Sequence, residues 1–175
     1  MALRREYDKE ICPVARSLEV VGERWTLLIV RDAFYGVQRF TDFRAHLDIP
    51  SAVLTERLKL LVDHEILATS IGTSGRDEYL LTPKGEQLWP IVWAMMHWGN
   101  EYYVTEELRR PIVHYGCGGQ LTPLGNCGRC GTVPSPRDLE VHPRASEPKA
   151  AGRDDRVSRL LTRPHRMLEP LTEVA

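Results

Sequence analysis

The chain has 175 residues, 42% hydrophobic and 27% charged, and its 23 Lys plus Arg against 24 Asp plus Glu leave a formal net charge of −1. That is material for one good core and a small second module, with no strongly basic domain to drive nucleic-acid binding by charge alone. No apolar run approaches the ~20 residues that span a bilayer, and the first residues lack the apolar stretch of a signal peptide, so a cytoplasmic protein is expected. Its four cysteines are then metal ligands or reactive thiols rather than disulfide halves.

Arg4 and Arg5 open a charged arm that ends at Ile11. Cys12-Pro13 starts a helix, because proline is tolerated at the first helical position, and Val14, Leu18 and Val21 continue it with helical spacing. Gly22 is expected to stop this helix in a left-handed cap. A second helix runs from Arg24 or Trp25 to Tyr35, with Trp25 as a core anchor and Gly36 as its stop. The turn at Gly36-Val37-Gln38-Arg39-Phe40 leads into a short third helix ending near Leu47.

The next helix is the decisive one. Leu54, Leu58, Leu61 and Val62 fall at i, i+4, i+7 and i+8 and form one apolar stripe. Ser51, Ala52, Thr55, Glu56 and Lys59 lie on the other side. They are short or hydrogen-bonding groups on the N-terminal half, where a helix-turn-helix presents its reading residues to the major groove. Ala68 to Ile71 and Glu78 to Leu81 then form strands around a glycine-containing loop, which makes the unit a winged helix. Arg76 near the loop tip and Arg39 before the third helix suit phosphate contact. Residues 1–110 hold 14 Lys plus Arg against 17 Asp plus Glu, so affinity for double-stranded DNA has to come from local arrangement and should be salt-sensitive.

Thr82-Pro83 supplies a cap and a first-turn proline for a long helix reaching towards Arg110, which Pro90 should bend or break. Its Leu88, Trp89, Trp93, Met96, Trp98 and Tyr102 cover more of the circumference than one small domain needs to bury. That points to a partner helix in a homodimer, with Trp93 and Met96 at the interface; core packing and a ligand pocket are the alternatives.

Cys12-Pro13, Gly22-Glu23-Arg24-Trp25, Gly36 with Arg39-Phe40, Leu54-Thr55-Glu56-Arg57-Leu58, Tyr79-Leu80-Leu81-Thr82 with Gly85, and Trp98-Gly99 stand in the order and spacing of the HxlR-type winged helix-turn-helix regulators. The chain resembles that family from about Ile11 to Tyr103. Arg24 stands where many members have lysine, and the wing lacks the prolines often seen before its arginine. The resemblance implies a bacterial homodimeric transcription regulator on an inverted repeat. It also implies that Cys12 could sense oxidants or electrophiles, since a thiol at a helix N-terminus can have a lowered pKa; the plainer role for Cys12 is a small capping residue.

Beyond Arg110, His114, Cys117, Cys127 and Cys130 give H-x2-C-x9-C-x2-C, with glycine after each cysteine. Three thiolates and an imidazole favour a structural, tetrahedral Zn(2+) in a zinc-ribbon-like β module spanning 111–142. Within 113–133 only Val113, Tyr115, Leu121, Leu124 and Val133 are available as a core, so metal would have to supply the folding energy; free or paired thiols are the alternative. Residues 143–175 are expected to form a flexible Pro/Arg-rich tail, with a linker over 143–152 and a short helix at Asp154–Leu161.

The expected fold is therefore mainly α, with a hairpin wing and a small C-terminal β module. The expected function is sequence-specific DNA binding, modulated by a small molecule or an oxidant. Catalysis has no support, because there is no phosphate loop or nucleophile elbow, and His46 and His64 lack an evident partner carboxylate. The competing class is a protein-protein interaction module that uses the winged helix as a scaffold.

Overall fold

The computed structural model describes residues 11–72, 75–145 and 154–172. Most of the expected N-terminal arm, the wing residues 73–74 and most of the expected linker lie outside these. Helix α1 is Pro13–Val21, α2 is Arg24–Phe34, α3 is Phe40–Leu47 and α4 is Ser51–Asp63. Strands β1 (Leu67–Ile71) and β2 (Asp77–Leu81) pair antiparallel as the wing, with Thr69 opposite Tyr79.

The helical period of apolar residues builds the core. Leu54, Leu58 and Leu61 are fully buried along one side of α4 and meet Ile29 and Phe34 of α2 and Phe43 of α3 in one apolar cluster. Gly36 closes α2 with φ 84°, as its role as a stop requires. Gly22 does not form a left-handed cap. Its φ is −76°, and glycine is needed there for space, since a Cβ would lie 2.3 Å from the Leu18 carbonyl oxygen.

Two apolar expectations change on packing. Trp25 is half-buried, with the Arg24 guanidinium 5.1 Å from its ring centroid, while Thr26 is the residue of that turn that faces fully inward. The long aromatic helix is two helices, α5 (Pro83–Glu86) and α6 (Trp89–Tyr102). Pro90 sits in the first turn of α6, where its missing N–H costs nothing, so the chain breaks before it instead of bending through it. Helix α6 ends at Tyr102, well short of Arg110, and a 3-10 turn at Glu106–Leu108 follows.

The C-terminal third is a four-stranded antiparallel sheet in the order β4-β3-β5-β6, from β3 (Ile112–His114), β4 (Gly119–Gln120), β5 (Leu139–Val141) and β6 (His165–Arg166). Ile112, Leu139 and Val141 are buried in the same apolar cluster as α2 and α4. Residues 154–172 are not a loose tail. Helix α7 (Arg156–Leu160) packs on α3, and Val157, Leu161, Met167 and Leu171 are buried. The Leu168 and Leu171 amides donate to the carbonyls of Phe34 and Gly36 at 2.9 and 3.1 Å, stitching this segment to the end of α2. Among the described residues no helix is long and apolar enough to cross a membrane.

Candidate nucleic-acid interface and metal centre

Helix α4 follows Pro50, which occupies its N-cap position, and begins at Ser51. Its buried leucines fix its rotation, and Ser51, Ala52, Thr55, Glu56 and Lys59 are all exposed on the remaining surface. Thr55 Oγ1 donates to the Ser51 carbonyl at 2.9 Å, and Arg44 of α3 reaches Ser51 Oγ at 3.3 Å. Lys59 pairs with Asp63 one turn on, and Glu56 pairs with Arg57. Exposed pairs of this kind contribute little and can be exchanged for phosphate or base contacts at small cost.

Arg39 and Arg76, far apart in sequence, line one groove of about 290 Å³ between the start of α3 and the wing, together with Thr41 and Asp77. Arg39 bridges to β2 and pairs with Glu78 at 3.6 Å. The fold thus brings Arg39 and Arg76 together in one groove at the wing.

Trp93 and Met96, expected at a dimer interface, both make contacts within their own chain. Trp93 is buried in its own chain, its ring tilted against Trp89 with centroids 6.1 Å apart and its Nε1 donating to the Thr122 carbonyl at 3.0 Å, and Met96 Sδ accepts from the Tyr35 hydroxyl at 3.8 Å. The outward stripe of α6 is instead Ile91, Met95, Trp98 and Tyr102, spaced i, i+4, i+7 and i+11. Val14 and Leu18 on α1 are also exposed. Cys12, at the N-cap of α1, is an exposed free thiol whose side chain makes no cap hydrogen bond.

His114, Cys117, Cys127 and Cys130 converge from the end of β3 and the two loops that flank β4. Their donor atoms all lie within 4.8 Å of one another. Cys117 Sγ is 3.4 Å from His114 Nδ1 and 3.4 Å from Cys127 Sγ, and Cys130 Sγ is 3.3 Å from His114 Nδ1. Donors ~2.0–2.3 Å from a shared tetrahedral zinc stand about 3.4–3.8 Å apart, so these spacings fit one ion with no open position. Gly119 makes the knuckle sterically allowed, since a Cβ there would lie 2.5 Å from Cys127 Sγ.

Electrostatics favour thiolate at two of the three sulfurs. Thr132, through its hydroxyl and its amide, lowers Cys130 to about 6. The amides of Cys130 and Arg129 lower Cys127 against the opposing effect of burial. Although the Gly119 amide favours its thiolate, Cys117 is raised overall by the neighbouring Cys127 thiol and by burial. His114 is raised by its contacts with Cys127 and Cys130. Of the expected core of this segment, Tyr115, Leu124 and Val133 are exposed, so little apolar area holds the loops together.

Histidine 46 has partners that sequence reading missed. Nδ1 lies 3.2 Å from Asp155 of the C-terminal segment, and Nε2 lies 3.9 Å from Asp32, a fully buried carboxylate that Arg31 holds at 2.6 Å. No local pattern links residues 46 and 155. The Arg31-Asp32 pair inside an otherwise apolar helix was the one available signal.

A model of the HxlR-like helix-turn-helix family matches residues 20–107, half of the chain. The uncharacterized HTH-type transcriptional regulator Rv3095 of Mycobacterium tuberculosis (strain ATCC 25618 / H37Rv) is 40% identical over 134 residues, 74% of this chain and 84% of that protein. YvaP of Bacillus subtilis (strain 168), another uncharacterized HTH-type transcriptional regulator, is 35% identical over 99 residues, 54% of this chain and 92% of its own. Among solved structures, that of PA1607, assigned as a transcription factor, superposes with a TM-score of 0.63 at 36% identity, covering 72% of this chain and 90% of that one. Matches covering nearly three quarters of the chain extend past the winged helix towards the His/Cys segment.

Proposed function

The chain belongs to the HxlR-like helix-turn-helix family of transcription regulators, and from that membership we propose that it acts as a homodimer whose two α4 helices enter successive major grooves of an inverted-repeat operator. The observation that carries this reading is the exposed row Ser51, Ala52, Thr55, Glu56 and Lys59 opposite the buried leucine stripe; Arg39 and Arg76 share one groove at the wing. Thr55 and Lys59 serve base and phosphate contact; Arg39 and Arg76 hold the backbone. Such a regulator works in the cytoplasm.

The test is retention of a bound genomic duplex by wild type and by the Thr55→Ala/Lys59→Ala variant. Neither residue packs in the core, so the fold should persist while binding weakens by about 10-fold or more and the salt dependence flattens by about one charge. Equal binding by the double variant removes this placement of α4. A protein that retains no specific duplex would instead favour the winged helix as a protein-binding scaffold.

His114, Cys117, Cys127 and Cys130 together hold one Zn(2+) as a structural ion, closed by four protein donors. Cys12, an exposed thiol outside the His/Cys cluster, stands at the N-terminus of α1. Its exposure supports a sensing role, and loss of duplex retention on diamide treatment in wild type but not in Cys12→Ser is the expected outcome. Identical behaviour of the two proteins assigns Cys12 to capping alone.

A further inference from the structure

The loop between Cys117 and Cys127 reaches from the metal centre to α6. Leu121 bridges to Cys127, the Thr122 amide donates to the Asn126 carbonyl at 2.8 Å, and the Gly125 amide donates to the Thr122 carbonyl at 2.9 Å, so 121–127 is one tight turn. Cys127, fully buried, closes it, and its own amide donates to the Thr132 carbonyl at 2.7 Å, beyond Cys130. Across the base the Gly128 amide donates to the Gln120 carbonyl at 2.9 Å and Arg129 Nη1 to the Cys117 carbonyl at 2.7 Å. A turn this short and internally bonded moves with the cysteines it is attached to.

Its tip rests on Trp93. The Thr122 carbonyl accepts the indole N–H at 3.0 Å, and Gly125, with φ 84°, brings its backbone so close that a Cβ would lie 3.4 Å from the indole Cδ1. An indole N–H can only donate, so this carbonyl is what satisfies it away from water. The Trp93 ring also stacks on His97, with centroids 6.3 Å apart. At about 100° per helical residue, Trp93 stands roughly 170° around α6 from the mean direction of Ile91, Met95, Trp98 and Tyr102. The cysteine-bearing turn therefore holds the inner side of the helix whose outer side is the exposed apolar stripe.

We propose that the centre formed by His114, Cys117, Cys127 and Cys130 is a regulatory site: Zn(2+) occupancy keeps the 121–127 turn docked on Trp93, and loss of the ion frees the C-terminal half of α6 and weakens the homodimer. The two states are the turn docked and the turn released, and the ion favours the first because only there do the four donors converge. Apolar packing gives the turn little hold of its own, since Leu121 is half-buried and Leu124 at its tip is 91% exposed. The coupling rests on the zinc reading, and its regulatory consequence rests on the dimer reading as well.

The test compares the full chain carrying zinc, the same protein stripped by chelator and dialysed, and stripped protein given back Zn(2+) or Mg(2+), with metal content measured in each. Stripping should speed amide exchange over residues 94–102 of α6 by at least about tenfold and weaken the dimer in sedimentation by a similar factor. Zn(2+) should restore both, and Mg(2+) neither, because thiolates do not suit it. Trp93→Phe lacks the indole N–H, so stripping it should change α6 exchange less than in wild type. Unchanged α6 exchange in protein that has lost its zinc, or recovery with Mg(2+), overturns the coupling and leaves the ion a local staple. A chain that takes up no zinc overturns the metal reading and the coupling together, and the metal content shows that this is the failure. Faster α6 exchange with identical sedimentation of loaded and stripped protein supports the coupling and removes the regulatory step. The wild-type comparison decides even where Trp93→Phe fails to fold.

Discussion

Asp32 shows at the scale of one residue how this fold uses charge. Its carboxylate is fully buried, Oδ1 is held by Arg31 Nε and Nη2 at 2.9 and 2.6 Å, and Oδ2 has no hydrogen-bond partner among the described residues. A buried ion pair adds little net stability, but removing one partner leaves the other uncompensated. Arg31→Ala is therefore expected to lower unfolding stability by about 3 kcal/mol, and adding Asp32→Asn in the same chain should restore part of it. Urea unfolding midpoints check this. A loss below ~0.5 kcal/mol, typical of a surface site, would mean that solvent already screens Asp32. Residues 31 and 32 were legible as helix and no further, because neighbouring helical residues point to different sides and nothing local shows that Arg31 folds back onto Asp32. The same limit hid the His46–Asp155 contact, which the chain closes over 109 residues.

At the scale of elements, what could be read tracks the range of the interactions. α2, α3 and α4 were legible because their buried residues repeat at the helical period, Leu54, Leu58 and Leu61 alone fixing α4, and the wing because two strand-forming runs flank a glycine-containing loop. A β module was expected over 111–142, but its strands could not be placed and β6 was missed, since β4 and β6 are two residues long and β3 and β5 three, too short to show a period. β3 pairs with β5 across 24 intervening residues, Ile112 with Val141 and His114 with Leu139. The tail read as loose because Val157, Leu161, Met167 and Leu171 are spread among polar residues, yet each is buried. This division of labour bears on the metal. Ile112, Leu139 and Val141 anchor the sheet in the main core, whereas the loops carrying the cysteines have almost no apolar support. Protein purified without chelator should hold about one zinc per chain. Cys127→Ser, or a strong chelator, should lower that content and raise amide exchange across 115–133 while α2 to α4 keep their protection. Metal-free protein with those loops still protected would show that the fold positions the four donors without an ion.

The largest scale is the surface that a single chain leaves open. Trp93 is buried because the 120s loop covers that side of α6, which sequence could not foretell; its indole N–H is satisfied by Thr122, 29 residues on, while Met96 is half-buried against Tyr35. What remains outside is the stripe Ile91, Met95, Trp98 and Tyr102, with the Trp98 ring tilted against Tyr102 and Tyr103 at centroid distances of 5.7 and 5.1 Å. Trp98 is 56% exposed and Tyr102 67%, and burying large side chains of this kind is worth about 1.5–3 kcal/mol each. A twofold contact uses every such residue twice, which makes this stripe the candidate surface for the proposed homodimer; Val14 and Leu18 of α1 are exposed as well. Trp98→Glu would place a charge at the centre of that contact, twice, while touching nothing in the core. The expected result is a folded monomer by sedimentation at micromolar concentration where wild type is a dimer, with an unchanged far-UV spectrum. If operator binding needs two reading helices, the same variant should retain a single half-site duplex as well as wild type does and lose the advantage of the full inverted repeat. A wild-type protein that sediments as a monomer, or a Trp98→Glu protein that remains a dimer, would move the interface off α6.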